Sequence, residues 1–393
     1  MSRRNMKLPV FEDGTNSSKG KITVGVEVEG LRPTNLQAIL NGLKSAWKAT
    51  YSFLRRRVSF SGEGNVNTGN IGSYHNYGGG TSQWVPWAES FPKTGMPAGT
   101  PNKIKAERDG SIGEYFGIPD GFVPVEYPMP PVTGDLGLRY IETFMRQLRE
   151  SGHRVNGDCG LHIHVGLKGI VGDADCDEVV AFTTQLNKLV YNYQDALYGQ
   201  TGTRRDRRSY CQRIDASNSS GLLHSSKEIA RKPKGSKTSD DFRRVVRGSD
   251  KYRLLNLTPL NNGMDAPTAT LEFRCFAGTL NFDKVLMHIR SVLFLCRLAW
   301  KTRHSSHGDG GFTWELDKPM HRKKSKAGVA SLEVLLKKMN KECNNSPDVL
   351  GESEVMTERK EAMEAIARKM AIKYDSRFST RGRGDMSNSN YTE

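Results

Sequence analysis

The 393-residue chain contains no run approaching the roughly 20 apolar residues needed to span a bilayer. Its first residues, MSRRNMKLPVFEDG, hold neither an apolar stretch nor a small-residue cleavage site, so the expectation is a cytoplasmic protein. The six cysteines (Cys159, Cys176, Cys211, Cys275, Cys296, Cys343) are widely spaced and form no CxxC pair. That spacing argues against a zinc ribbon, a thioredoxin-type centre and a dense disulfide framework. The Gly78-Gly79-Gly80 triplet lacks the Gly-Lys-Ser or Gly-Lys-Thr ending of a phosphate loop. Internal repeats are absent as well. Hydrophobic residues reach 36%, enough for a core, and the formal charge is +15. A mean hydropathy of −0.58 points to polar loops or tails around that core.

Three short stretches alternate strictly between apolar and polar positions. In residues 21–30, KITVGVEVEG, Ile22, Val24, Val26 and Val28 point one way while Glu27 and Glu29 point the other. CGLHIHVGL sets Leu161, Ile163 and Val165 against His162 and His164, and ATLEFRCF sets Leu271, Phe273 and Cys275 against Glu272 and Arg274. Further strands are expected over 103–112, 121–127 and 252–257, the second stopped by the prolines of EYPMPP. Helices are expected after Thr34, from about Leu138 until Gly152, over 177–198 and over 282–300, with two charged helices near 328–344 and 352–374.

Two insertions interrupt this pattern. Residues 59–100 are rich in Gly, Asn, Ser and aromatics without a period and are expected to be an irregular loop. Residues 201–250 carry 13 Lys plus Arg against 6 Asp plus Glu and are expected to be a basic, poorly structured insertion. The expected organisation is a catalytic domain over 1–310 followed by a charged helical extension and frayed tail over 311–393.

If each strand packs its aliphatic side on helices, the opposite face gathers Glu27, Glu29, His162, His164, Glu272 and Arg274. Adjacent carboxylates repel unless a cation lies between them. Several Glu ligands suit Mg²⁺ or Mn²⁺, and an arginine beside such an ion suits phosphoryl transfer, which needs positioning and charge neutralisation above all. Blander uses exist for each piece: a solvated strand face for Glu27 and Glu29, an ion pair for Glu272 and Arg274, a turn for Asp109 in ERDGS.

The ordered set resembles the amidoligase family, carboxylate-amine ligases related to glutamine synthetase and glutamate-cysteine ligase. The blocks are GVEVEG, DGSI (residues 109–112), VEYPMPP, NGDCGLHIHV, and YRLLNL followed by TLEFRCFAGTLN, spanning roughly the first 300 residues. The resemblance implies an α+β fold with a curved, mainly antiparallel sheet, its concave face the site and helices on the convex face, plus the C-terminal helical extension. It implies an ATP-dependent enzyme that joins a carboxylate to an amine through an acyl phosphate. Glu27, Glu29, Glu126, His162 and Glu272 would hold Mg²⁺ or Mn²⁺. Arg253 and Arg274 would grip phosphates, His164 would line the nucleotide side, and Asp109 would face the amine. The block at Glu126-Tyr127-Pro128 departs from the Glu-Leu-Val-Ser-Pro-Pro of many relatives by losing the serine.

Two other readings stay open on sequence alone. His162 and His164 with one Glu could bind zinc in a hydrolase, and the +15 charge could serve nucleic-acid or scaffold binding on a degenerate ligase fold. On the ligase reading, the same charge would draw an acidic peptide or protein substrate. Relatives of this kind often travel in phages and mobile elements. No membrane partner is expected, and the oligomeric state is not legible.

Overall fold

The computed structural model describes residues 22–34, 83–84, 105–107, 109–214, 225–226, 228–264, 269–304, 327–345 and 353–379. The expected helix after Thr34, most of the 59–100 insertion and the tail beyond residue 379 lie outside these residues.

The architecture is α+β. One open five-stranded sheet contains β1 (Val24–Pro33), β4 (Phe122–Pro128), β5 (Gly160–Gly166), β6 (Leu255–Asn256) and β7 (Thr270–Ala277). Their order is β4-β1-β5-β7-β6 and every pairing is antiparallel. A two-stranded ribbon joins β2 (Gln83–Trp84) to β3 (Lys105–Ala106). Gln83 and Trp84 thus form a strand inside a segment read as irregular, whereas the expected strand over 103–112 shortens to two residues. Beyond β3, Glu107 bridges Glu126, which carries the following turn alongside β4.

Register explains how the alternation becomes two faces. Val26 opposes Ile163, Val28 opposes both Leu161 and Tyr127, Ile163 opposes Phe273 and Val165 opposes Leu271. All of these are buried in the main core. Directly opposed residues point to the same side, so Glu27 with His162, Glu29 with Glu126 and His164 with Glu272 share the other face. Between Leu161 and Ile163 the β5–β7 register slips, leaving His162 at a bulge. Bulges re-aim side chains and are frequent beside active sites.

The helices cover the apolar face. They are α1 (Gly134–Glu150), α2 (Leu167–Val171), α3 (Cys176–Gly199), α4 (Ser239–Arg247), α5 (Phe282–Thr302), α6 (Ala327–Asn345), α7 (Glu354–Glu358) and α8 (Lys360–Ser379). Gly152, at φ 80°, lets the chain leave α1 in the left-handed conformation that favours glycine. Asp175 accepts the Glu178 N–H at the start of α3, and Asn281 accepts the Lys284 N–H at the start of α5. Helix α1 packs on β4 through Phe144 edge-on to Tyr127 (5.6 Å), and α5 packs on β7 through His288 stacked on Phe276 (4.1 Å). Helices α3 and α5 meet at Phe182 and Trp300.

The described part of the basic insertion, residues 201–214, 225–226 and 228–250, is better ordered than its charge implies. Thr238 and Asp241 form a reciprocal capping box on α4, while Cys211, Ile214, Ile229, Phe242, Val245 and Val246 are buried. Short 3₁₀ turns at Arg205–Arg207 and Ser209–Cys211 order its first part. The apolar residues are too sparsely spaced among the cations for a periodic signal. Just beyond it, the expected strand over 252–257 reduces to Leu255–Asn256.

Candidate active site

The polar face of the sheet is a cluster of acids and imidazoles. Glu27 and Glu29 come from β1, Glu126 from β4, His162 and His164 from β5, and Glu272 with Arg274 from β7. Glu29, Glu126, His162 and Glu272 are buried, while Glu27 and His164 are partly exposed.

His162 is the hub. Its Nδ1 lies 2.9 Å from Glu27, 3.6 Å from Glu272 and 3.9 Å from Glu126, whereas its Nε2 faces Glu29 at 3.2 Å. His164 places Nε2 3.0 Å from Glu27 and Nδ1 3.2 Å from the Thr270 hydroxyl. Neither histidine Nε2 has an aligned hydrogen-bond partner, although both are buried. Each faces a carboxylate instead, so the two imidazoles and their acids form one close-packed polar cluster.

Two candidate cation positions share Glu27: one with Glu126 and His162, the other with His164 and Glu272. Within each, the donor atoms lie within 4.8 Å of one another. Carboxylate-rich sets with a single imidazole suit Mg²⁺ or Mn²⁺, so the residues fit the ions that the sequence pattern called for.

The electrostatics show the same tension. Burial, followed by the charges of Glu27, Glu29 and Asp109, pushes the Glu126 carboxyl well above the usual carboxylate range. Burial also opposes ionisation of Glu27, but His164 and His162 outweigh it and hold that carboxyl well below its ordinary value. At His164 burial disfavours the proton, yet Glu27 lifts the imidazole to about 9. In the absence of a cation, protons balance the site. Arg274 donates to the Glu272 carboxylate, and despite burial Glu272 and Glu29 keep it firmly charged.

The structure brings together Glu27, Glu29, Glu126, His162, His164, Glu272 and Arg274. Asp109 sits in an Asx turn, accepting from the Ser111 N–H (2.8 Å) and hydroxyl (3.0 Å), close enough for its charge to be felt at Glu126. Arg253 is placed on a parallel bridge with Gln212 and donates to that side chain at 2.9 Å.

Several participants escaped sequence reasoning. Asn256 donates its amide to Glu272, and the Gly160 N–H donates to Glu29. Arg205 lies buried beside Glu29. Asn256 stands in the YRLLNL block and could have been noticed there. Arg205 sits among Arg204, Arg207 and Arg208 with nothing in the sequence to mark it.

Fold and site together define an α+β protein whose open sheet presents an acid-imidazole-arginine cluster suited to divalent cations. The family described as "Putative amidoligase enzyme" matches residues 21–295, which contains every residue of the cluster, and the chain belongs to that family, a group of ligase-type enzymes. No curated protein matches it. Among the described residues no helix is long and apolar enough to cross a membrane.

Proposed function

We propose that the protein is an ATP-dependent carboxylate-amine ligase working on the polar face of a glutamine-synthetase-like sheet. The observation that carries this reading is the pair of acid-imidazole triads sharing Glu27, with Arg274 alongside. Glu27, Glu126 and His162 would hold one divalent cation, and Glu27, His164 and Glu272 a second, with Glu29 completing the cluster through His162. Bound there, Mg²⁺ or Mn²⁺ would neutralise triphosphate charge and orient the phosphoryl group being transferred.

Arg274 would stabilise charge on that group as a carboxylate oxygen of the substrate attacks γ-phosphorus and ADP departs, giving an acyl phosphate. Arg253, at the neighbouring strand end, is assigned to the phosphate-binding side. Asp109 is assigned to the incoming amine, which displaces phosphate from the acyl carbon and sheds a proton to leave the amide. The positive balance of the chain favours an acidic peptide or protein as the carboxylate partner.

Each triad contains only one histidine, which favours Mg²⁺ or Mn²⁺ over the histidine-rich site of a zinc hydrolase. The test is ATP hydrolysis or ADP-ATP exchange by purified protein with Mg²⁺ or Mn²⁺, compared with Glu27→Gln and Arg274→Ala. Turnover should require the metal and fall by roughly 100-fold or more in either variant, with the thermal transition kept. Undiminished turnover in both variants would sink the assignment. Stoichiometric zinc without nucleotide binding would replace it with the hydrolase. DNA or RNA binding that weakens steeply with salt, without turnover, would replace it with the nucleic-acid reading.

A further inference from the structure

Arg205 is a buried arginine in the middle of a basic run, where a solvated side chain would be expected. Its Nη1 donates to the carbonyls of Asp158 (3.2 Å) and Cys159 (3.0 Å), the two residues preceding β5. A Cβ on the next residue, Gly160, would lie 2.2 Å from Arg205 Nη2 and 3.0 Å from Glu29 Oε2. The bare glycine thus makes room for a guanidinium and a carboxylate over one α-carbon. The Gly160 N–H donates to the same Glu29 oxygen. The other, Oε1, is thereby turned toward His162 Nε2 at 3.2 Å.

The segment that delivers Arg205 is itself fixed. Cys211 Sγ reaches the Arg205 carbonyl at 3.1 Å, and the buried Tyr198 hydroxyl donates to the Cys211 carbonyl. Next to it, Arg204 grips Asp206 with two hydrogen bonds of 2.8 and 2.7 Å. A guanidinium held by two carbonyls has little freedom left, so it acts on the nearby Glu29 carboxylate as a fixed charge through space rather than through a direct bond. An arginine is costly to bury without such partners.

We propose that Arg205 is a positioning residue: with the Gly160 amide it fixes the Glu29 carboxylate so that one oxygen faces His162 and the cation cluster. This rests on the metal-dependent reading above. Outer partners that orient ligands commonly matter almost as much as the ligands themselves.

The test is Mn²⁺ binding to the full chain, followed by electron paramagnetic resonance, for the unaltered protein, Arg205→Lys, Arg205→Ala, Gly160→Ala, Glu29→Gln and the double variants with Glu29→Gln. Arg205→Lys and Gly160→Ala keep the positive charge and carry the test if Arg205→Ala does not fold. With Glu29 intact, each should change Mn²⁺ affinity by about tenfold and alter the bound-ion spectrum. Combined with Glu29→Gln, the same changes should shift affinity by less than about twofold, because the group being positioned has lost its charge. Equal effects with and without Glu29→Gln, or no effect in either case, overturn the role of Arg205 and leave the ligase reading standing. If the unaltered protein binds no Mn²⁺, the cation reading falls and this inference with it.

Discussion

Glu126 bears the heaviest electrostatic load in the site. It opposes Glu29 across the β1–β4 ladder, lies near Glu27 and Asp109, and is buried, so its ionised form gains little from water. Glu126→Gln should therefore stabilise the metal-free protein near neutral pH by about 1 kcal/mol or more, because folding no longer has to put a proton on a carboxyl that is ionised in the unfolded chain. The same variant should lose most of the rise in Tm that Mn²⁺ gives the unaltered protein. Thermal melts with and without Mn²⁺ check both halves, and a metal-free Tm that drops sharply would contradict the first. At this scale the sequence was readable wherever alternation fixed a face, as for Glu27, Glu29, His162, His164, Glu272 and Arg274. It was silent on Arg205, because a buried arginine and a solvated one look alike within a charged run. It was silent as well on the Gly160 amide, since hydrogen bonds from the backbone leave no residue type behind.

Between elements, the junction of β7 and α5 supplies a prediction of its own. His288 is buried, stacked on Phe276, and has Gln200 Oε1 3.3 Å from Nδ1. Burial, assisted by the charge of Lys284, lowers its imidazole to about 3. His153, between the Tyr127 hydroxyl and Ser151, is likewise lowered to about 3, by burial and by Arg32. From about pH 6.5 down to about 3, the unfolded chain therefore takes up a proton at each histidine that the folded chain refuses. Stability is fully expressed above that window and falls as pH drops through it, by about 1.4 kcal/mol per pH unit for each group. His288→Leu should flatten this acid limb by one such increment, which urea melts at several pH values would measure. An unchanged slope would mean that His288 titrates normally. The strands that run through the core, β1, β5 and β7, could be read from period-two alternation, and α1, α3 and α5 from helical spacing, with Gly152 marking the end of α1. Short pieces escaped or shrank: α2 is five residues long, β2 is two, and of the strand expected over 103–112 only the two residues of β3 pair. Tertiary pairing creates elements of that length, and no local pattern announces them.

Across the whole molecule, the C-terminal helices lie outside the family match at 21–295 and yet complete the main core. Leu332, Leu335, Leu336 and Met339 of α6, with Met363, Ala367, Ala371 and Tyr374 of α8, are all buried there. Polar contacts lock the same layer. The Arg290 guanidinium of α5 bonds Glu364 and Asn340, both at 3.0 Å, and Asp375 accepts the Gly328 and Val329 N–H groups at the start of α6. Tyr374 extends this layer toward the site, for its hydroxyl lies 3.4 Å from Arg213 Nη1 and its ring carries Arg204, the neighbour of Arg205. Charge composition alone marked these helices as an appendage, because their apolar residues are few and each stripe is complete only against α3 and α5. Every buried leucine removed costs about 2 kcal/mol or more in burial alone, so losing the layer exceeds the whole stability of a typical domain. A chain ending at residue 304 should therefore aggregate or lack a cooperative thermal transition. Leu335→Ala in the full chain should lower stability by about 3 kcal/mol. A soluble truncated chain that melts cooperatively and still binds Mn²⁺ would show instead that residues 22–304 fold alone. Since the truncation removes no cluster residue, its Mn²⁺ affinity would then measure how far α8 stiffens the Arg204–Arg205 segment from outside.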